Sequence, residues 1–148
     1  MLRTLAIRTI QTSSEDWLTF VSLLNLAELP VPEADEIARF LAVEDEMGLI
    51  GFGGLEGSGP DQLLRSVVTA SGVRRRGLGK VLVRQLVEEA RRQGAERLWL
   101  LTSKANSFFA KLGWSEEPRD KAPELVRMSR LYTEICPATA ALMVRSVR

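Results

Sequence analysis

The chain has 148 residues, 45% hydrophobic and 26% charged, with 11 glycines and 6 prolines. That is the length of one domain with an ordinary globular composition, which excludes a disordered, collagen-like or low-complexity chain. Twenty basic residues against nineteen acidic ones leave a net charge of +1, too small for a protein that coats nucleic acid.

In chain order, residues 5–10 are an apolar-rich run that predicts a first strand. Ser13 and Ser14, followed by Glu15 and Asp16, mark a helix start with a hydroxyl cap and acids in its first turn. Trp17, Phe20, Val21 and Leu24 recur at helical spacing and form its core face. Pro30 and Pro32 interrupt the chain, and residues 33–39 predict a short second helix. Residues 40–44 and 49–55 flank the polar Asp45-Glu-Met-Gly48, the pattern of a hairpin. Gly51, Gly53 and Gly54 in its second strand imply that something approaches this backbone closely. A turn over residues 57–61 leads into a third β run, residues 63–69, mostly apolar but with Arg65 in its middle.

The clearest helix covers residues 79–93. Leu82, Val83, Leu86, Val87 and Ala90 share one face, Glu88 is spaced to pair with Arg92, and Gly94 ends the helix in a left-handed cap. Residues 97–102 predict a buried strand and residues 105–111 a short helix ending at Gly113, after which Trp114 opens another extended piece. A helix from Pro123 to Ile135 and a strand over residues 140–144 complete the chain. Strands and helices mix without repeat or linker around a central strand–helix–strand unit. The fold class is α/β, in a single domain over residues 1–148.

Two absences narrow the chemistry. There is no histidine, so Ser-His and Cys-His pairs are excluded. With one cysteine besides, no ordinary zinc site can be assembled, and no metal is expected. The lone Cys136 cannot close a disulfide within the chain, which fits a reducing compartment. Residues 1–8 hold no apolar stretch of signal-peptide length, and no run approaches the roughly 20 apolar residues of a membrane span. The expectation is a soluble, cytoplasmic protein with no membrane or nucleic-acid partner.

The informative stretch is Val67-Val-Thr-Ala-Ser-Gly-Val-Arg-Arg-Arg-Gly-Leu-Gly-Lys80: a strand end, a loop of glycine and arginine, and an amphipathic helix. Amides and dipole at such a helix start attract an anion. Gly77 and Gly79 admit phosphate close to the backbone, and Arg74, Arg75, Arg76 and Lys80 add charged donors. A P-loop would need glycine at Arg74 and a hydroxyl at Val81, and a dinucleotide fingerprint would need glycine at Leu82. Both are excluded, leaving either a solvated basic turn or an anion site of another kind.

Arg74-Arg-Arg-Gly-Leu-Gly79 has the form Arg/Gln-x-x-Gly-x-Gly/Ala and resembles the pyrophosphate loop of the GNAT family of N-acetyltransferases. Phe108-Phe-Ala-Lys-Leu-Gly-Trp114 is similar to that family's Phe/Leu-Tyr-x-Lys-x-Gly-Phe, and the ordered set covers residues 40–115. The segment from Leu100 to Phe109 is closer to the acetyltransferase domain of N-acetylglutamate synthases. The tail from Arg130 to Ala140, with Leu64-Arg-Ser66, resembles an arsenic-resistance-associated branch. The resemblance implies a strongly bent mixed sheet with helices on both faces, acetyl-CoA as co-substrate, and direct attack of a neutral amine on the thioester. It puts the pantetheine arm on the backbone of Val67, Val68 and Thr69. The pyrophosphate falls on Arg74, Arg75, Arg76, Gly77, Leu78, Gly79 and Lys80. Two cofactor-side positions depart from the pattern. Thr102 stands where many members carry Asn, and Phe109 stands for the Tyr that serves as thiolate acid.

The remaining candidates each carry two readings. Arg65, beside Ser66, is either a structural ion-pair or edge residue or a clamp on a substrate oxyanion. Glu56 is either a solvated turn acid or the base that draws a proton from the amine through water. Tyr132 is the only phenol, read as a packing residue or as acid and substrate contact. Cys136 is an inert thiol or a contact for a soft ligand. The leading function is acetyl transfer to the amine of a small molecule, an amino acid or its analogue, by a monomer or homodimer. The alternative is an acyl-CoA-binding sensor without catalysis.

Overall fold

The computed structural model describes residues 4–33, 36–70, 77–135 and 139–148. The chain divides into two compact units, each made of two stretches: Met1–Leu55 with Ser66–Leu86, and Glu56–Arg65 with Val87–Arg148. Seven strands follow the order β1-β2-β3-β4-β5-β7-β6. One strand, β4 (Asp61–Thr69), passes from one unit to the other between Arg65 and Ser66.

In the first unit, β1 (Leu5–Thr9), β2 (Arg39–Asp45) and β3 (Gly48–Glu56) are antiparallel neighbours, with Ile7 opposite Val43 and Ala42 opposite Phe52. The helix α1 (Glu15–Leu26) buries Phe20, Leu23 and Leu24 against Phe40, Ala42, Phe52 and Val68. Trp17 meets the rings of Phe20 and Phe40 edge-on. On the other face of β3 lies α2 (Leu78–Arg92), whose Leu82 and Leu86 stand over Gly51 and Gly53. Helices therefore cover both faces of this unit's strands. The close approach implied by these glycines is the protein's own: a Cβ at Gly51 would lie 2.3 Å from the Val68 carbonyl oxygen.

The second unit pairs the start of β4 in parallel with β5 (Arg97–Thr102), Asp61 opposite Arg97 and Leu63 opposite Trp99. The strand β7 (Ala141–Ser146) is antiparallel to β5, and the three-residue β6 (Ser115–Glu117) pairs with β7. Two helices, α3 (Asn106–Lys111) and α4 (Glu124–Arg127), a 3-10 turn over Arg119–Lys121 and a π-turn over Leu131–Ile135 join these strands. Leu63, Trp99, Ala122, Val126, Leu131 and Leu142 form its core, with Tyr132 half-buried against it. Among the described residues no helix is long and apolar enough to cross a membrane.

Helix ends follow one geometry three times. The Ala95 amide reaches the Ala90 carbonyl past Gly94, Trp114 reaches Phe109 past Gly113, and Leu29 reaches Leu24 past Glu28. Each pivot is left-handed, with φ of 95°, 103° and 57°. This is the Schellman closure, which glycine favours and Glu28 adopts at a cost.

Three expectations are corrected. Residues 33–39 do not form the second helix: Glu36, Ile37 and Ala38 are non-helical and Arg39 already pairs in β2 opposite Leu55, while Ala34 and Asp35 lie outside the described residues. Ile37 is 95% exposed, so the stretch presents no apolar face that would hold a helix against the core. Glu88 pairs with Arg91 instead of Arg92, and Glu89 takes Arg92 at 2.8 Å, because both arginines reach back three residues. The helix expected from Pro123 to Ile135 breaks after one turn of α4, at Met128 and Ser129. There the Ser129 hydroxyl takes the Leu131 amide, in competition with helical bonding.

Candidate active site

β4 supplies the first part of the site. Ser66 sits at φ 56°, a left-handed conformation that costs a side-chain-bearing residue about 1 kcal/mol or more. Beyond it Val68 is buried, while Val67 is half-buried and Thr69 exposed. Arg74, Arg75 and Arg76 lie outside the described residues. Gly77 is left-handed at φ 80°, and among the described residues no atom lies within 4 Å of where a Cβ would be. Among the described residues, the first bond of α2 runs from the Val81 amide to the Gly77 carbonyl at 3.0 Å. The amides of Leu78, Gly79 and Lys80 thus precede the intrahelical ladder, with the Lys80 side chain exposed beside them. Leu78 itself is buried and anchors the turn. Open space, leading amides and a lysine suit a phosphate group.

Thr102, at the end of β5, accepts the Ala105 amide on its hydroxyl at 2.9 Å and so shapes the entry to α3. Phe109 is 8% exposed, edge-on to Phe108 and Trp114. The Trp114 indole N–H donates to the Leu98 carbonyl, which fixes that aromatic group to β5. Phe109 is thus a core residue without a proton to give.

The pairing of β4 with β5 is locked at its start. Arg97 donates two hydrogen bonds to Asp61, at 2.7 and 3.0 Å, and the Trp99 indole donates a third at 2.8 Å. The Arg97 guanidinium, with the Trp99 donor, holds the Asp61 carboxyl below the usual carboxylate range.

Glu56, Arg65 and Ser129 meet in the second unit, although 73 residues separate the first from the last. Arg65 Nη1 donates to Glu56 Oε1 at 2.6 Å, and the Ser129 hydroxyl donates to the same oxygen at 3.3 Å. Glu56 is buried and ion-paired, so its reading as a solvated turn acid does not hold. Arg65 is turned inward in an ion pair. Tyr132 lies in the π-turn, with the Arg119 guanidinium 4.3 Å above its ring; π-turns often mark functional segments. Cys136 lies outside the described residues. Ser129 was not singled out from the sequence, because a serine in a presumed helix carries no signal of its own. Among the described residues no group of three or more His, Cys, Asp or Glu side chains could hold a metal ion.

The family profile of the acetyltransferase (GNAT) domain matches residues 36–116, more than half the chain. No curated protein sequence matches. Among solved structures, N-acetylglutamate synthase from Neisseria gonorrhoeae, complexed with coenzyme A and N-acetyl-glutamate, aligns over 98% of this chain with a TM-score of 0.76 and 19% identity. The alignment covers 35% of that enzyme, so the chain spans about a third of its length. An acetyltransferase of the GNAT family from Staphylococcus aureus aligns over 98% of this chain and 100% of its own, with a TM-score of 0.68 at 16% identity. An aminoglycoside 6'-N-acetyltransferase complexed with coenzyme A aligns over 97% of both chains, with a TM-score of 0.64 at 17% identity. At such identities these likenesses speak for the fold.

Proposed function

The chain belongs to the acetyltransferase (GNAT) domain family, and from that premise we propose that it transfers an acetyl group from acetyl-CoA to the amine of a small molecule. The observation that carries the reading is the β4–α2 junction, where Gly77 has open space among the described residues and the amides of Leu78, Gly79 and Lys80 lead a helix. Those amides and Lys80 bind the pyrophosphate, together with Arg74, Arg75 and Arg76; the backbone of Val67, Val68 and Thr69 receives the pantetheine arm.

Acetyl-CoA supplies the activated carbonyl. The amine nitrogen bonds to it, the C–S bond breaks with its electron pair going to sulfur, and the ammonium proton leaves through a base. Glu56 is the carboxylate available for that proton, and Tyr132 the phenol available to the departing thiolate. The acceptor is an amino acid or an analogue of one, a reading supported by the likeness to N-acetylglutamate synthase. The protein works in the cytoplasm as a monomer or homodimer. A second reading has one observation in its favour: Phe109 is a core residue where the family's acid would stand. It makes the domain a non-catalytic acyl-CoA sensor.

Free-thiol release from acetyl-CoA, measured across amino acids, polyamines, aminoglycosides and peptides, separates the two. Turnover with one of these classes is expected. Tight acetyl-CoA binding with silence across the panel would favour the sensor. Failure to bind acetyl-CoA would end both readings.

A further inference from the structure

The strand order ends in β1 on one side and in β6 on the other, and the two edges are unlike. β6 has three residues, Ser115, Glu116 and Glu117, all exposed. Short length and like charges keep foreign strands off such an edge. β1 is longer, holds no proline, and carries a single charge at Arg8. That guanidinium is drawn back over its own unit, donating to Asp16 at 2.6 and 3.1 Å and to Glu44 at 3.2 Å. The charge that would guard this edge is already engaged.

The register shows which backbone groups face outward. The Ile10 amide donates to the Phe40 carbonyl at 2.9 Å, in line with the pairing of β1 and β2. Bonded pairs alternate along an antiparallel ladder, so Ala6 and Arg8 also turn their amides and carbonyls towards β2. Leu5, Ile7 and Thr9 turn theirs away from it, and among the described residues no backbone bond reaches them there. The side chains of Leu5 and Ile7 are half-buried, on the face where Ile7 lies opposite the fully buried Val43. Open backbone groups beside a half-covered apolar row are a template for another strand.

We propose that β1 is the interface of a homodimer, in which two copies pair antiparallel about a two-fold axis through Ile7. The chain's own pattern selects this centre. Ile7 meets the partner's Ile7 and Leu5 meets the partner's Thr9, so every outward amide and carbonyl of β1 is matched. An axis at Ala6 would leave Thr9 outside the pairing, and one at Arg8 would leave out Leu5. On the opposite face Ala6 lies against the partner's Arg8, so small meets large and no two arginines stand directly opposite. The contact is the same patch on both copies and closes on itself. The inference is independent of acetyl transfer, and it selects the dimer and supplies its surface. A five-residue pairing falls short of the roughly 1,200 Å² of a permanent interface, so dimer and monomer exchange.

Because Ile7 faces its own copy, a charge at this position tests the axis directly. Sedimentation equilibrium of the full chain is to be measured from about 1 µM to about 1 mM, the span of weak to moderate association. Wild type is expected to pass from monomer to dimer across it. Ile7→Lys and Ile7→Glu are each expected to stay monomeric, with like charges paired on the axis, and an equal mixture of the two to dimerise again. Thermal melts check that both variants fold. Thr9→Pro is a second test that spares the bonds to β2, because this amide points outward. Its ring stands on the open edge and should weaken dimerisation at least about tenfold. A wild-type chain that stays monomeric overturns the proposal and leaves the edge to a strand of another protein. A dimer unaltered by Thr9→Pro overturns it as well and places the contact elsewhere. So does a mixture of the two folded Ile7 variants that stays monomeric.

Discussion

A Cβ added at Gly51 would stand 2.3 Å from the Val68 carbonyl oxygen and 3.0 Å from Thr69 Cα, both backbone atoms of β4. At Gly53 the nearest atom, at 2.4 Å, is a methyl carbon of Leu86. Backbone held in a sheet cannot step aside as the end of a leucine can. Gly51→Ala should therefore destabilise by about 3 kcal/mol, the upper part of the overpacking range, and Gly53→Ala by about 1 kcal/mol. Urea titration of both variants gives the difference, and equal losses would mean that β4 yields as readily as a side chain. Gly77 is a third case, with space around it among the described residues and a left-handed backbone. Gly77→Ala should cost about 1 kcal/mol in conformational strain while weakening acetyl-CoA severalfold, because the added methyl occupies the space assigned to phosphate. Unchanged acetyl-CoA affinity in that variant would move the pyrophosphate away from this turn.

At the scale of elements, the parallel start of β4 and β5 depends on Asp61, which receives both Arg97 and Trp99. Its carboxyl titrates lower in the folded chain than in the unfolded one, chiefly through the Arg97 hydrogen bond. The unfolded chain thus binds this proton first as pH falls. The stabilisation is fully present above about pH 4, the unfolded carboxyl value, and is lost as pH drops through the depressed folded value. Asp61→Asn should lower stability by about 1 kcal/mol at neutral pH, a figure kept small because Arg97 is half exposed, and should flatten the acid limb of the stability curve. Denaturation midpoints from pH 7 to pH 2.5 would show it, and parallel limbs for variant and wild type would remove Asp61 from the account. What was legible in the sequence divides by the range of the forces involved. Periodicity gave β1, the hairpin, α2 and β5, and glycine marked the ends of α2 and α3, because these depend on neighbours along the chain. Glu28 ends α1 without any such mark. The break at Ser129 was illegible because the hydroxyl that takes the Leu131 amide also donates to a carboxylate 73 residues away. The site divides in the same way: the loop motif is local, whereas the burial of Glu56 with Arg65 and Ser129 is tertiary.

For the whole molecule, the two units share secondary structure without a linker. Asp61–Arg65 of β4 belongs to one and Ser66–Thr69 to the other, and α2 passes between Leu86 and Val87 in the same way. Each unit is also assembled from two separate stretches of chain, so neither exists as a continuous fragment. If one unit melted alone, it would strip half of a strand and part of a helix from its neighbour, and their backbone bonds would be lost with it. A single cooperative transition is therefore expected, as for most domains of this size. The three tryptophans allow a direct test: Trp17 belongs to the first unit, Trp99 and Trp114 to the second. A chain carrying Trp99→Phe and Trp114→Phe reports on the first unit alone, and one carrying Trp17→Phe reports on the second. For each, the urea midpoint by fluorescence should coincide with that by far-ultraviolet circular dichroism, which sees the backbone of both units. Comparison within each variant cancels the loss of the Trp99–Asp61 bond, which shifts both probes together. Fluorescence and dichroism midpoints that separate would make β4 and α2 hinges between independently melting parts, with local stabilities assigned unit by unit.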